Sequence, residues 1–233
     1  KDGRSYAIQG IIRDITARML AMEEIAGRER ELRKTLDQVR ATLNNTVKTI
    51  ERLAEVRDPY TAGHQRRVAQ LSCAIAQEMG CEEDLISGLQ IMASIHDIGK
   101  TAVPSDILSK PSALNENEFA IIKTHPLVAY DILREMDFTW PVAAAIYQHH
   151  ERLDGSGYPR GLKGDQIIFE ARVLAVADVV EAMASHRPYR PALGLDRALQ
   201  EITEKRGVLY DASVVESCLH LIREKNYRFD STA

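Results

Sequence analysis

Residues Ala93 to Lys100 read ASIHDIGK, an apolar helical run that closes on a histidine, an aspartate, a glycine and a lysine. Taken alone, His-Asp is compatible with an ordinary helix end. As half of a metal site it needs imidazoles and carboxylates supplied from elsewhere in the chain. Working backward, residues 83–97 align Leu85, Leu89, Met92 and His96 on one helical face, so His96 points where the apolar side chains point. The reading of this stretch therefore fixes both the local element and what its end is for.

The same logic extends along the chain. From about residue 58 onward helical signals repeat and strand signals nearly vanish. Thr61 reads as the N-cap of a helix with Val68, Leu71, Ile75 and Met79 on its apolar face, stopped by Gly80. Asn115 with Glu118 forms a capping-box pattern, and Pro126 follows His125 where a helix can begin. Pro141 opens PVAAAIYQHH, residues 167–185 form a long helix carrying Asp178, and Asp211 caps SVVESCLHLIREK. One glycine-rich loop, ERLDGSGYPRGLKGD at 151–165, interrupts the series. The expected fold is all-α, a helical bundle.

Upstream the period changes. Residues 5–13, SYAIQGIIR, alternate like a single strand, which cannot fold alone and reads as a remnant. Met22, Ile25, Leu32, Leu36, Val39, Leu43, Ile50 and Leu53 then occupy a and d positions of one heptad frame, with Glu29 and Thr46 interrupting. With charged flanks such as RERELRK, this predicts a two-stranded coiled coil and a homodimer; the alternative is an amphipathic helix packed on its own domain. The domain plan is a remnant at 1–16, a helical linker at 17–54 and a helical domain at 55–228.

Composition sets bounds on this plan. The 233 residues are 45% hydrophobic, enough for a real core. No long uncharged apolar run and no signal-peptide region occur, so neither a membrane span nor export is expected, although a chain that begins without Met reads as a fragment. Three cysteines without CxxC spacing argue against a disulfide framework or zinc knuckle; Cys73 and Cys218 read as core thiols, and a reducing cytoplasm is the expected compartment. A net charge of −4 with no basic block disfavours duplex nucleic acid as a partner, and an anionic ligand would need a local positive site.

Five of the seven histidines, His64, His96, His125, His149 and His150, lie at expected helix starts or ends. His64 shares a face with Val68 and Leu71, and His149 follows Val142 and Ile146. Asp178 follows Leu174 on the long helix. Burying so many ionisable groups without partners is costly, and imidazole with carboxylate suits a first-row transition metal. Neighbours on a helix diverge by about 100°. His96 with Asp97, and His149 with His150, therefore suit two ions rather than one, with Asp97 able to bridge them.

His64, the HD at 96 and 97, and Asp178 follow the ligand order of the HD-domain metal phosphohydrolases. His125, the HH at 149 and 150, and GYP at 157–159 resemble the HD-GYP subfamily, whose members hydrolyse cyclic di-GMP. DPYTAGHQRRV, HDIGK, DGSGYP and SHRPYR follow in the subfamily's order, over about residues 47–225. Residues 1–16, KDGRSYAIQGIIRDIT, resemble the closing strand of a PAS sensor domain and its exit motif.

The resemblance implies an HD-type bundle with His64, His96, Asp97, His125, His149, His150 and Asp178 as metal ligands. It makes Asp97 and Lys100 catalytic, and Lys100, Arg187 and Arg190 holders of substrate phosphate. Tyr158 borders the pocket or stacks on a base, with a plain turn as the alternative; Arg187 and Arg190 could equally be a surface loop paired to nearby acids. Two divalent ions, iron or manganese, would activate a bridging water for attack on the cyclic dinucleotide, giving pGpG, with a second cleavage to GMP as the alternative end point. Some relatives carry a glutamate that holds a third metal where this chain has Tyr60, so two ions are expected unless Glu55 or Asp58 compensates. Glu181 stands where relatives often have aspartate, and His186 and His220 read as non-ligands. Alternative functions are hydrolysis of a mixed GMP-AMP ring, or a silent regulator that binds nucleotide or docks a diguanylate cyclase through the GYP loop.

Overall fold

The computed structural model describes residues 2–57, 63–185 and 194–229, with side chains of Thr16 and of Arg18 onward in the first segment. Ten α-helices and two short 3-10 helices make up the regular structure of these residues, and no strand occurs among them. The helices are α1 (Asp2–Arg57), α2 (His64–Glu78), α3 (Glu83–Ile95), α4 (Ser105–Leu108), α5 (Glu116–Ile122), α6 (His125–Leu133), α7 (Val142–Gln148), α8 (Phe169–Ala184), α9 (Leu195–Glu204) and α10 (Ala212–Arg223). The all-α expectation holds.

Two compact units divide the chain between Thr46 and Val47, a boundary that falls inside α1. In the first unit Met22, Ile25, Leu32, Leu36, Val39 and Leu43 are exposed. The strand expected at residues 5–13 is instead helical. The physical reason is local: a lone strand has no ladder partner, whereas a helix closes its backbone hydrogen bonds within the segment. Later in the heptad frame, Ile50 packs against the core of the second unit, as does Val47, which lies outside the frame.

That core is built from apolar faces spaced three and four residues apart. Leu71 and Ile75 from α2, Leu89 and Met92 from α3, Ile146 from α7 and Leu174 from α8 are fully buried. Trp140 lies over Gly88, where an added Cβ would fall 2.6 Å from the indole, and its Nε1 donates to Asp84. Helix α9 buries Ala198, Leu199 and Ile202 and was not anticipated from the sequence.

Helix ends follow their caps. Asn115 Oδ1 accepts the Glu118 N–H at 2.9 Å, and Glu118 Oε2 accepts the Asn115 N–H at 2.8 Å. Asp211 Oδ1 accepts the N–H groups of Ser213 and Val214. The start of α2 differs from expectation: Gly63, with φ of 69°, is the N-cap, and Thr61 lies outside the described residues. A left-handed residue is needed there and glycine supplies it without a Cβ penalty. The Gly63 N–H is held at 2.6 Å by Glu55 Oε1 from the last turn of α1.

Candidate metal centre

Helix termini deliver almost every histidine of interest. His64 opens α2, His125 opens α6, His96 is the C-cap of α3 and His149 the C-cap of α7. A helix C-terminus leaves carbonyls without intrahelical partners. His96 Nδ1 meets the Ala93 carbonyl at 2.7 Å, His125 Nδ1 the Ile122 carbonyl at 2.8 Å and His149 Nδ1 the Ile146 carbonyl at 2.6 Å. A carbonyl can only accept, so each Nδ1 carries the proton and each Nε2 presents a lone pair. One device, a histidine three residues past a carbonyl in the last turn of a helix, sets three tautomers.

Those lone pairs converge. His125 Nε2 and His149 Nε2 are 3.5 Å apart, with no proton left to share between them. His64 Nε2 and His96 Nε2 are buried with no well-formed hydrogen bond among the described residues, although His64 Nε2 lies 3.2 Å from Asp178 Oδ1. Two outer donor sets result, His64 with His96 and Asp178, and His125 with His149 and His150, and a third group of His96, Asp97 and His149 overlaps both, each gathered within 4.8 Å. Asp97 stands between them: Oδ1 lies 3.4 Å from His125 Nε2, and Oδ2 lies 3.6 Å from His96 Nε2 and 3.8 Å from His64 Nε2. Facing lone pairs, buried nitrogens without a well-formed hydrogen bond and a carboxylate turned toward both sets fit a pair of divalent cations.

Electrostatics prepares the donors. Burial drives His125 down to about 4 and His149 down to about 3, and it drives His150 well below the ordinary imidazole range. All three are neutral near pH 7, the form that ligates. Burial would raise Asp97 and Asp178, but Lys100 and three histidines hold Asp97, and His64 above all holds Asp178, well below the ordinary carboxylate range. Lys100 Nζ donates to Asp97 Oδ2 at 2.6 Å.

Behind the donors lies a supporting layer. His64 Nδ1 is paired with the Glu181 carboxylate, which also accepts from Arg67 Nε at 2.6 Å and Ser185 Oγ at 2.6 Å. Burial would raise Glu181, yet its pairing with His64, Ser185 and Arg67 brings it to about 2. The side chain is an anion that fixes the orientation of His64, as outer-shell carboxylates do for ligating imidazoles.

The His149–His150 pair departs from the sequence expectation. Their rings are 3.9 Å apart and both belong to one donor set. The 100° divergence applies only within a continuing helix, and α7 ends at Gln148. His150 is then covered by Tyr158, with ring centroids 4.7 Å apart. Tyr158 is held there by its loop: its N–H donates to the His150 carbonyl, and a Cβ on Gly157 would fall 2.4 Å from Glu151 Cα.

Glu151 was not singled out from the sequence. It is buried, and its two oxygens accept the N–H groups of Arg160 and Leu162 at 2.7 and 2.9 Å, fastening the chain that follows GYP to the end of α7. The signal available was an acid directly after HH, but its partners are backbone groups 9 and 11 residues on, which no side-chain pattern marks. Glu55, considered as a carboxylate for a third ion, is engaged in capping α2. His220 pairs with Glu78 away from the donor sets. Tyr60, Asp58, His186, Arg187 and Arg190 lie outside the described residues.

Residues 48–214 match the HD domain family. The chain belongs to that family. This HD domain is 36% identical over 193 residues to the cyclic di-GMP phosphodiesterase response regulator RpfG of Xanthomonas campestris pv. campestris, covering 82% of the chain and 51% of the relative. It is 41% identical over 186 residues to a cyclic di-GMP phosphodiesterase of Thermotoga maritima, covering 78% and 50%. A 3'3'-cGAMP-specific phosphodiesterase of Vibrio cholerae is 37% identical over 164 residues, covering 70% and 36%. The chain thus spans about half or less of the length of these curated relatives. Among solved structures, the HD domain of L. monocytogenes PgpH in complex with cyclic-di-AMP superposes with a TM-score of 0.56 at 18% identity, over 76% of this chain and 96% of that one, which supports the fold.

Proposed function

We propose that this HD domain is a metal-dependent cyclic dinucleotide phosphodiesterase of the HD-GYP kind, acting on cyclic di-GMP to give pGpG. The observation that carries the reading is the pair of donor sets facing each other across Asp97, with their histidine tautomers fixed by helix-end carbonyls. Relatives named for cyclic di-GMP hydrolysis support the substrate. Two divalent ions, iron or manganese by the mixture of imidazole and carboxylate, would supply water activation and neutralisation of phosphate charge.

The chain's own residues do the rest. His64, His96 and Asp178 would hold one ion, His125, His149 and His150 the other, and Asp97 would be shared. Glu181 keeps the His64 ring in its ligating orientation. Lys100, 2.6 Å from Asp97 Oδ2, places a positive charge where a phosphate oxygen approaching that carboxylate would be met. Arg187 and Arg190 are assigned to the substrate phosphates as well, because the guanidinium fork matches phosphate oxygens. Tyr158 walls the pocket beside His150.

The setting is regulatory. The exposed heptad stripe on α1 is assigned to a homodimeric coiled coil that links an upstream PAS-like sensor to the domain beginning near residue 55. The domain would work in the cytoplasm, with the GYP loop free to contact a diguanylate cyclase. No helix of the described residues is long and apolar enough to cross a membrane.

A second reading, a mixed GMP-AMP ring as substrate, is favoured by the Vibrio cholerae relative. Turnover of the two rings side by side by metal-loaded protein separates them. Faster hydrolysis of cyclic di-GMP is expected; preference for the mixed ring would transfer the assignment.

A further inference from the structure

Helix α5 has no buried residue, yet it sits against the site through its C-terminal end. Lys123, its C-cap and two residues before His125, places Nζ 4.7 Å from the Phe119 ring centre and 5.5 Å from the Tyr158 ring centre. The first contact is an ordinary pairing of side chains four apart on a helix. The second is not local, because Tyr158 comes from the loop stapled by Glu151 and stacks on His150. From the metal centre outward the order is therefore His150, Tyr158, Lys123, Phe119.

Two further facts give this row a purpose. The nearest acid on the helix, Glu118, is taken by Lys110 at 2.6 Å, and no carboxylate of the described residues lies within ion-pair distance of Lys123. Phe119 is 44% exposed, an aromatic face left to solvent beside that cation. An aromatic face beside an ammonium group is what a nucleotide outside the metals would use: the base stacks and the phosphate is neutralised.

Resting on the phosphodiesterase reading, we infer that Phe119 and Lys123 form an outer subsite for the half of the cyclic dinucleotide not being cleaved, with Lys123 taking its phosphodiester and Phe119 its purine. The subsite is a specificity element. It grips the second nucleotide of a ring dinucleotide, whose distant phosphodiester and purine a small aryl phosphodiester lacks.

The test compares Phe119→Ala, Lys123→Met and Lys123→Arg with wild type, all metal-loaded, on cyclic di-GMP and on bis(p-nitrophenyl) phosphate. Both altered residues are on the surface, and metal content per chain verifies the centre in each variant. For Phe119→Ala the ratio of kcat/KM between the two substrates is expected to fall about tenfold. For Lys123→Met it is expected to fall about threefold to tenfold, through KM rather than kcat, and Lys123→Arg should restore it. An unchanged ratio, or equal losses on both substrates, would overturn the subsite, equal losses meaning that α5 acts by positioning His125. Hydrolysis of the aryl ester by wild type with no turnover of any cyclic dinucleotide would overturn the substrate reading instead, and the subsite with it.

Discussion

Asp97 is the residue on which the two donor sets depend, since its two oxygens face different histidines. Asp97→Asn keeps the shape but removes the anion. Its turnover of cyclic di-GMP is expected to drop by more than the roughly 10- to 100-fold that loss of an outer-shell partner costs. Near-normal turnover by metal-loaded variant would contradict the bridging role. Glu181→Gln probes the layer behind. His64 Nδ1 would keep a hydrogen-bond acceptor but lose the anion, while Arg67 would lose its charge partner. Metal affinity, read by competition with a chelator, should weaken by about 10- to 100-fold, and Glu181→Asp should recover part of it. At this scale much was legible in the sequence, because ligation needs particular residue types and those types are rare on apolar faces. Glu151 was not, because its function is to accept backbone N–H groups, and its partners carry no mark in the sequence.

Elements bring the residues together by ending where they do. The 3-10 helix Ile98–Ala102 packs so closely on α6 that a Cβ on Gly99 would fall 1.9 Å from the His125 carbonyl oxygen. Gly99→Ala must therefore push α6 away and carry His125 with it. Overpacking of this kind costs about 1–3 kcal/mol or more. The melting temperature is expected to fall by roughly 2–4 °C per kcal/mol in a chain of this size, together with loss of bound metal. A variant with unchanged melting temperature and metal content would show that the contact relaxes without effect. Capping residues made several helix boundaries readable in advance, Asn115 and Asp211 most directly. The convergence of His149 and His150 was not readable, because it depends on α7 stopping one residue before them. The apolar spacing of Leu195, Ala198, Leu199 and Ile202 carries a signal for α9, a short one that follows directly on the SHRPYR stretch.

For the whole molecule, the heptad frame on α1 serves two ends. Ile50 belongs to the domain's own core, whereas Leu32, Leu36 and Val39 remain exposed. Leu36→Lys with Val39→Lys should convert a dimer to a monomer in sedimentation experiments while leaving the helical bundle folded, because neither side chain contributes to the core. A wild-type chain already monomeric at micromolar concentration would remove the coiled coil. The alternation at residues 5–13 misled because period alone does not say whether a neighbouring strand exists to pair with. The deciding measurement is metal content per chain on anaerobically purified protein, with turnover of cyclic di-GMP followed on the same sample before and after chelation. About two equivalents of iron or manganese, with pGpG formed and its formation abolished by chelation and restored by metal, is the predicted result. A chain that takes up no metal on reconstitution, or that holds two ions and leaves every cyclic dinucleotide intact, would contradict it.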